Sequence, residues 1–104
     1  MTRPAPDLTQ LTDAATRAST LLKTLANPVR LLLLCQLTQQ ERSVSELEAL
    51  TGIRQPTLSQ QLGVLRDEQL VQTRREGKQI FYQIASAEAL AVLQVLYQLY
   101  CPET

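Results

Sequence analysis

The sequence predicts a mainly α fold with a small β-hairpin, and three observations predict it. First, Leu58, Leu62 and Leu65 recur at i, i+4 and i+7, one face of a helix. Second, a Ser-x-x-Glu start at Ser43 and Glu46 is followed by Gly52, so a short helix ends in a tight turn just before that run. Third, the period drops to two after Leu70, through Val71–Arg75 and Gln79–Ile84, with Glu76-Gly77-Lys78 as the turn between them. Two helices joined by a tight turn and followed by a hairpin make a winged helix-turn-helix. The expected order is four helices, two strands and a last helix.

Met1 to Pro6 reads as a disordered tail and residues 7–104 as one domain. Leu8, Leu11, Ala15, Ala18, Leu22 and Leu25 keep a helical period, with Asp7 as the N-cap. Asn27-Pro28 stops this helix, and Pro28 opens the next at its first turn. Val29 to Leu37 is apolar on nearly all sides, which places it at the centre of the core, with Arg30 its one charged member. Gln39 to Arg42 is a polar break. Ser43 with Glu46, and Ser45 with Glu48, are two overlapping capping-box patterns. Gly52 suits the left-handed position that ends the short helix. Pro56 fits the first turn of the next one, with Arg54 or Gln55 just outside it.

The faces of that helix away from its leucines carry Thr57, Ser59, Gln60, Gln61 and Arg66, with no negative charge before Asp67. Short hydroxyls, amides and a guanidinium are what reading base edges in a major groove requires. A Gln/Ser-rich helix face is also ordinary solvated surface, and the neighbouring elements decide between the two. Arg74, Arg75 and Lys78 at the hairpin tip fit phosphate or minor-groove contact beside such a helix. The expected DNA-contacting set is Gln55, Thr57, Ser59, Gln60, Gln61, Arg66, Arg74, Arg75, Lys78 and Gln79. Net charge is zero, so the whole-chain charge does not argue for nucleic acid. From Arg54 to Lys78, however, five basic residues face three acidic ones. In the last helix, Ser86 to Tyr100, apolar residues cover more than one face. One face serves the core, and the other is most simply met by a second subunit, joined by the first helix, which predicts a homodimer.

No apolar run approaches a membrane span, and the N-terminus lacks the apolar run of a secretory signal, so the expected compartment is the cytoplasm. The chain has no histidine. That excludes Ser-His-Asp and Cys-His catalysis and every histidine metal site, and neither an enzyme nor a cofactor is expected. Cys35 and Cys101 lie at opposite ends of the chain, and in a reducing cytosol such a pair is rarely a structural disulfide. On an apolar helix Cys35 taken alone reads as a small core hydrophobe. Core packing explains Cys101 poorly, since it sits three residues from the terminus.

The chain from about Leu21 to Cys101 resembles the ArsR/SmtB family of winged-helix repressors. Leu22-Lys23-Thr24-Leu25-Ala26-Asn27-Pro28-Val29-Arg30-Leu31, Gln55 to Leu62, and Arg74 to Tyr82 carry the resemblance. The family's metal sensors commonly place Cys-x-Cys where this chain has Ser43-Val44-Ser45, or histidines and carboxylates on the last helix, where this chain has no histidine. The cysteine positions are similar to the BigR/SqrR/YgaV-like branch. That resemblance implies a repressor of double-stranded operator DNA. Its Cys35 and Cys101 would sense reactive sulfur species or oxidants through a disulfide or polysulfide bridge and so derepress sulfur-detoxification genes. A thiol-based metal or arsenic sensor of the same fold is the alternative. A dithiol oxidoreductase is disfavoured, because there is no Cys-x-x-Cys and no visible base. One departure is Gln69, where the family usually has the glycine that ends the reading helix.

Overall fold

A computed structural model describes residues 4–101. Of the expected tail, residues 1–3 lie outside the described residues, and residues 4–6 form no helix or strand. The elements are α1 (Leu8–Leu25), α2 (Pro28–Leu37), β1 (Arg42–Ser43), α3 (Val44–Thr51), α4 (Thr57–Asp67), β2 (Val71–Glu76), β3 (Gln79–Ile84) and α5 (Ala87–Tyr100).

Polar side chains start most of the helices. The Asp7 carboxylate accepts the Gln10 N–H at 2.8 Å, and Gln10 Oε1 accepts the Asp7 N–H at 3.0 Å. Asn27 caps α2 by accepting the Arg30 N–H at 3.1 Å, with Pro28 at the first helical position. Ser43 and Glu46 form the expected box, at 2.8 and 3.1 Å. The Ser43 N–H and hydroxyl hold the Glu46 carboxyl below the usual carboxylate range. The second box, Ser45 with Glu48, does not form. Ser43 is the extended N-cap residue, which leaves Ser45 inside the helix. Pro56 lies one position outside α4, at its N-cap.

The expected hairpin is part of a three-stranded antiparallel sheet in the order β1-β3-β2. β1 pairs Arg42 with Tyr82 and Ser43 with Phe81. Two residues are too few to show a period, so the polar break concealed this strand. β2 runs to Glu76, which pairs with Gln79, and only Gly77 and Lys78 turn the chain. Gly77 has φ 62°, which a two-residue hairpin turn needs and a side chain disfavours.

The core is leucine. Leu33 and Leu34 of α2, Leu47 of α3, Leu58, Leu62 and Leu65 of α4 and Leu93 of α5 are fully buried. Each contributes about 1.5–3 kcal/mol by leaving water. α2 touches α1, α3, α4 and β3, so this leucine-rich helix is the hub that holds α4 at its angle.

Between α4 and β2 the chain passes through Gln69 at φ 62°, a left-handed residue that is not glycine. That conformation costs an L-residue about 1–2 kcal/mol, of which the greater freedom of an unfolded glycine would give back roughly half. Gln69→Gly is therefore expected to raise stability by less than about 1 kcal/mol, read as a higher melting temperature.

Candidate nucleic-acid interface and thiol pair

The leucine spine of α4 faces the core, and Thr57, Ser59, Gln60 and Arg66 are exposed. Near the helix start, Gln55 Oε1 accepts the Ser59 N–H at 3.1 Å. It satisfies one of the amides that every helix N-terminus leaves open. Gln55 thus caps the helix in the free protein. Gln61 is half-buried and accepts from Arg30 Nη1 at 3.1 Å. Gly63 has open space where a Cβ would stand, so no internal contact demands glycine there.

Adjacent strand positions face opposite ways, so Arg74 and Arg75 stand on opposite faces of the hairpin. Arg74 donates from Nε and Nη2 to both oxygens of Glu41, at 2.8 and 2.7 Å, and from Nη1 to Glu76 at 2.7 Å. Its guanidinium lies 4.5 Å from the centre of the Phe81 ring. The two carboxylates push its pKa still further up. Expected as a DNA contact, Arg74 is engaged in bracing the wing against the loop before β1, and a phosphate would have to displace a carboxylate to reach it. Glu41 gave no signal in the sequence, because its partner is 33 residues away. Arg75 keeps one donor on the Gly77 carbonyl at 3.2 Å and, like Lys78 and Gln79, is exposed.

Cys35 lies on α2, half-buried and packed against the leucine core. Cys101 follows the last residue of α5 and is exposed, its N–H donating to the Tyr97 carbonyl at 2.9 Å. Burial pushes the Cys35 thiol above its usual range, and the negative charge of Cys101 pushes it further the same way. The Cys35 thiol of α2 thus lies within electrostatic reach of Cys101 at the end of α5. Among the described residues no three His, Cys, Asp or Glu side chains gather to hold a metal ion. Nor is any helix of these residues long and apolar enough to cross a membrane.

Residues 27–73, from the cap of α2 into β2, match the model of bacterial regulatory proteins of the arsR family. The biofilm growth-associated repressor of Agrobacterium fabrum is 59% identical over 84% of this chain and 74% of its own. The chain belongs to the ArsR family. The crystal structure of the transcriptional repressor BigR from Xylella fastidiosa superposes with a TM-score of 0.85 at 48% identity, covering 94% of this chain and 100% of that one. Reduced HlyU from Vibrio cholerae superposes at 0.87 with 40% identity, over 91% and 100%. The resemblance read from the helix-turn-helix and wing motifs is confirmed, and so is the mainly α winged fold, enlarged by β1. An ArsR-family protein is a DNA-binding transcription regulator and not an enzyme.

The sequence marked Arg30 only as the one charged member of its helix and gave it no role, whereas its side chain ties α1, α2 and α4 together. A signal for it was present. Pro28 has no N–H for the Thr24 carbonyl, so a nearby donor was required.

Proposed function

We propose that this ArsR-family chain is a homodimeric repressor that grips a two-fold operator in double-stranded DNA and lets go when Cys35 and Cys101 of one subunit are bridged. Thr57, Ser59 and Gln60 of α4 read bases in the major groove, while Arg75 and Lys78 hold the DNA backbone from the wing. The inducer is a reactive sulfur species or an oxidant in the cytoplasm, and the bridge is a disulfide or a polysulfide. The genes released are those of sulfur detoxification.

The observation that supports this reading is a pair of free thiols, one half-buried on the hub helix and one exposed at the end of α5, with the charge of Cys101 felt at Cys35. A bond there would join the element that positions α4 to a helix with a large exposed apolar face. Leu99 is 69% exposed and Tyr100 79% exposed, and α1 leaves Leu8 79% exposed. So much uncovered apolar surface on the two terminal helices supports a second subunit there. That a relative is known in a form described as reduced agrees with a redox input.

The DNA-contact assignment has a direct test by binding titration on operator and on unrelated duplex. Gln60→Ala is expected to relax preference at one operator position by about 1–3 kcal/mol. Arg75→Ala is expected to weaken both duplexes alike and to reduce the salt slope by about 1. An Arg75→Ala protein with unchanged affinity and salt slope would contradict the wing assignment. Exposure of the wild type to persulfide, peroxide, arsenite and zinc in turn, with mass spectrometry of both cysteines, separates the proposed inducers from a soft-metal ligand.

A further inference from the structure

In a continuous helix the Thr24 carbonyl would accept the N–H of residue 28, and Pro28 has none. Thr24 is buried at the α1–α2 joint, where an unpaired carbonyl is costly. Arg30 fills the gap, its Nε donating to that carbonyl at 2.6 Å. With Nε held, the planar guanidinium has one orientation left, and Nη1 reaches across to Gln61 Oε1 on α4 at 3.1 Å.

A guanidinium only donates. The oxygen of the Gln61 amide must therefore be the atom turned inward onto Arg30, and the NH₂ end is the one left for a partner. At about 100° per residue, Gln61 stands at the edge of the Leu58–Leu62–Leu65 stripe, between it and the more outward Thr57 and on the side away from Ser59. When a helix sits in the major groove, its outer line faces the base edges and its flanks face the sugar-phosphate walls.

We propose that Gln61 is a one-way donor to a backbone phosphate on one wall of the groove, oriented by Arg30, and is not a reader of bases. The proposal rests on α4 being the helix that enters the groove. A glutamine that recognises adenine uses its oxygen and its nitrogen together. Gln61 has only the nitrogen to offer, so base recognition stays with Gln60 and its neighbours. Arg30 is a positioning residue in this arrangement. It anchors the Gln61 amide to the same joint that holds the end of α1.

The test measures affinity for operator and for unrelated duplex, together with melting temperature, in Gln61→Met, Gln61→Glu and Gln60→Ala. Gln61→Met removes the donor without adding charge, and it is expected to weaken both duplexes by the same factor, about tenfold, with base preference unchanged. Gln61→Glu keeps an acceptor for Arg30, so it is expected to melt no lower than the wild type and still to bind weakly. A folded Gln61→Met or Gln61→Glu protein with wild-type affinity overturns the proposal. So does a loss confined to one operator base pair, which is the signature of a base reader. If Gln60→Ala weakens operator binding while Gln61→Met does not, only the assignment of Gln61 falls. If neither variant changes affinity, the reading of α4 falls and takes this proposal with it.

Discussion

Cys101→Ser is expected to bind operator as tightly as the reduced wild-type protein and to stay bound when a small persulfide or a peroxide is added. Under the same treatment the wild type is expected to lose affinity by about 5–150-fold, the ordinary range of allosteric coupling. In the proposed switch the exposed Cys101 would be the thiol that meets the reagent. Its thiolate attacks the outer sulfur of a small persulfide, which leaves as a thiolate, and Cys101 then carries the extra sulfur. The Cys35 thiolate then attacks Cys101 Sγ itself, the bond from Sγ to the extra sulfur breaks, and that sulfur departs as hydrosulfide, leaving a Cys35–Cys101 disulfide. With peroxide the two thiols give up two protons and two electrons, and water leaves. Either way the bond is closed by Cys35. Burial first, and the charge of Cys101 second, keep its proton on at neutral pH. A raised pKa means that the reactive thiolate grows in only as pH climbs. Closure of the bridge should therefore keep accelerating above about pH 8.5, where an ordinary thiol levels off. Stopped-flow release of labelled operator across pH measures this, and mass spectrometry counts the sulfurs. Intact release from Cys101→Ser would refute a paired-thiol switch.

Tyr97→Asp combined with Leu99→Asp is expected to leave the subunit folded, to make it monomeric at micromolar concentration and to lower operator affinity by about 10²–10⁴-fold. The subunit should survive because both side chains are already mostly in water, at 56% and 69% exposure, and α5 holds to the body through Ala89 and Leu93. The dimer should not survive, because two carboxylates would enter an apolar contact with no partner. Affinity falls because each reading helix alone spans one half-site, and a tethered second helix binds as though at high concentration. Sedimentation and binding titration on one sample measure both effects. A wild-type protein that is monomeric at micromolar concentration and remains so on DNA would refute the dimer. The two predictions meet at the end of α5, since Cys101 directly follows Tyr100. In the proposed dimer, a bridge back to α2 would pull on the helix that spaces the two readers.

Most of the fold was legible because it rests on local signals. The Leu58–Leu62–Leu65 stripe, the cap at Asp7, the Asn27-Pro28 break, the Ser43–Glu46 box and the left-handed Gly52 each lie within a few residues of what they determine. Where two local signals overlapped, as at Ser43 and Ser45, sequence alone could not choose. The pairing of Ser43 with Phe81 goes with its extended backbone, and Ser43 took the cap. The chemistry-bearing residues were legible as types and less so as roles. Thr57, Ser59 and Gln60 are exposed as their spacing suggested, whereas Gln55 caps a helix, Gln61 is held by Arg30 and Arg74 is held by Glu41 and Glu76.

By itself the sequence determined the helices and their ends, the wing, the apolar excess of the two terminal helices and the presence of two thiols without a histidine. Each of these follows from periodicity, backbone restriction or composition, which act over one or two turns of chain. Only the tertiary structure decided that Arg42 and Ser43 form a third strand. The same holds for the bracing of Arg74 by Glu41 and the turning of the Gln61 amide by Arg30. It also set the charge of Cys101 against Cys35. These are hydrogen bonds and charge interactions across 31 to 33 residues or more. Their partners are chosen by the packing of α2 against its neighbours, and no spacing along the chain encodes that choice.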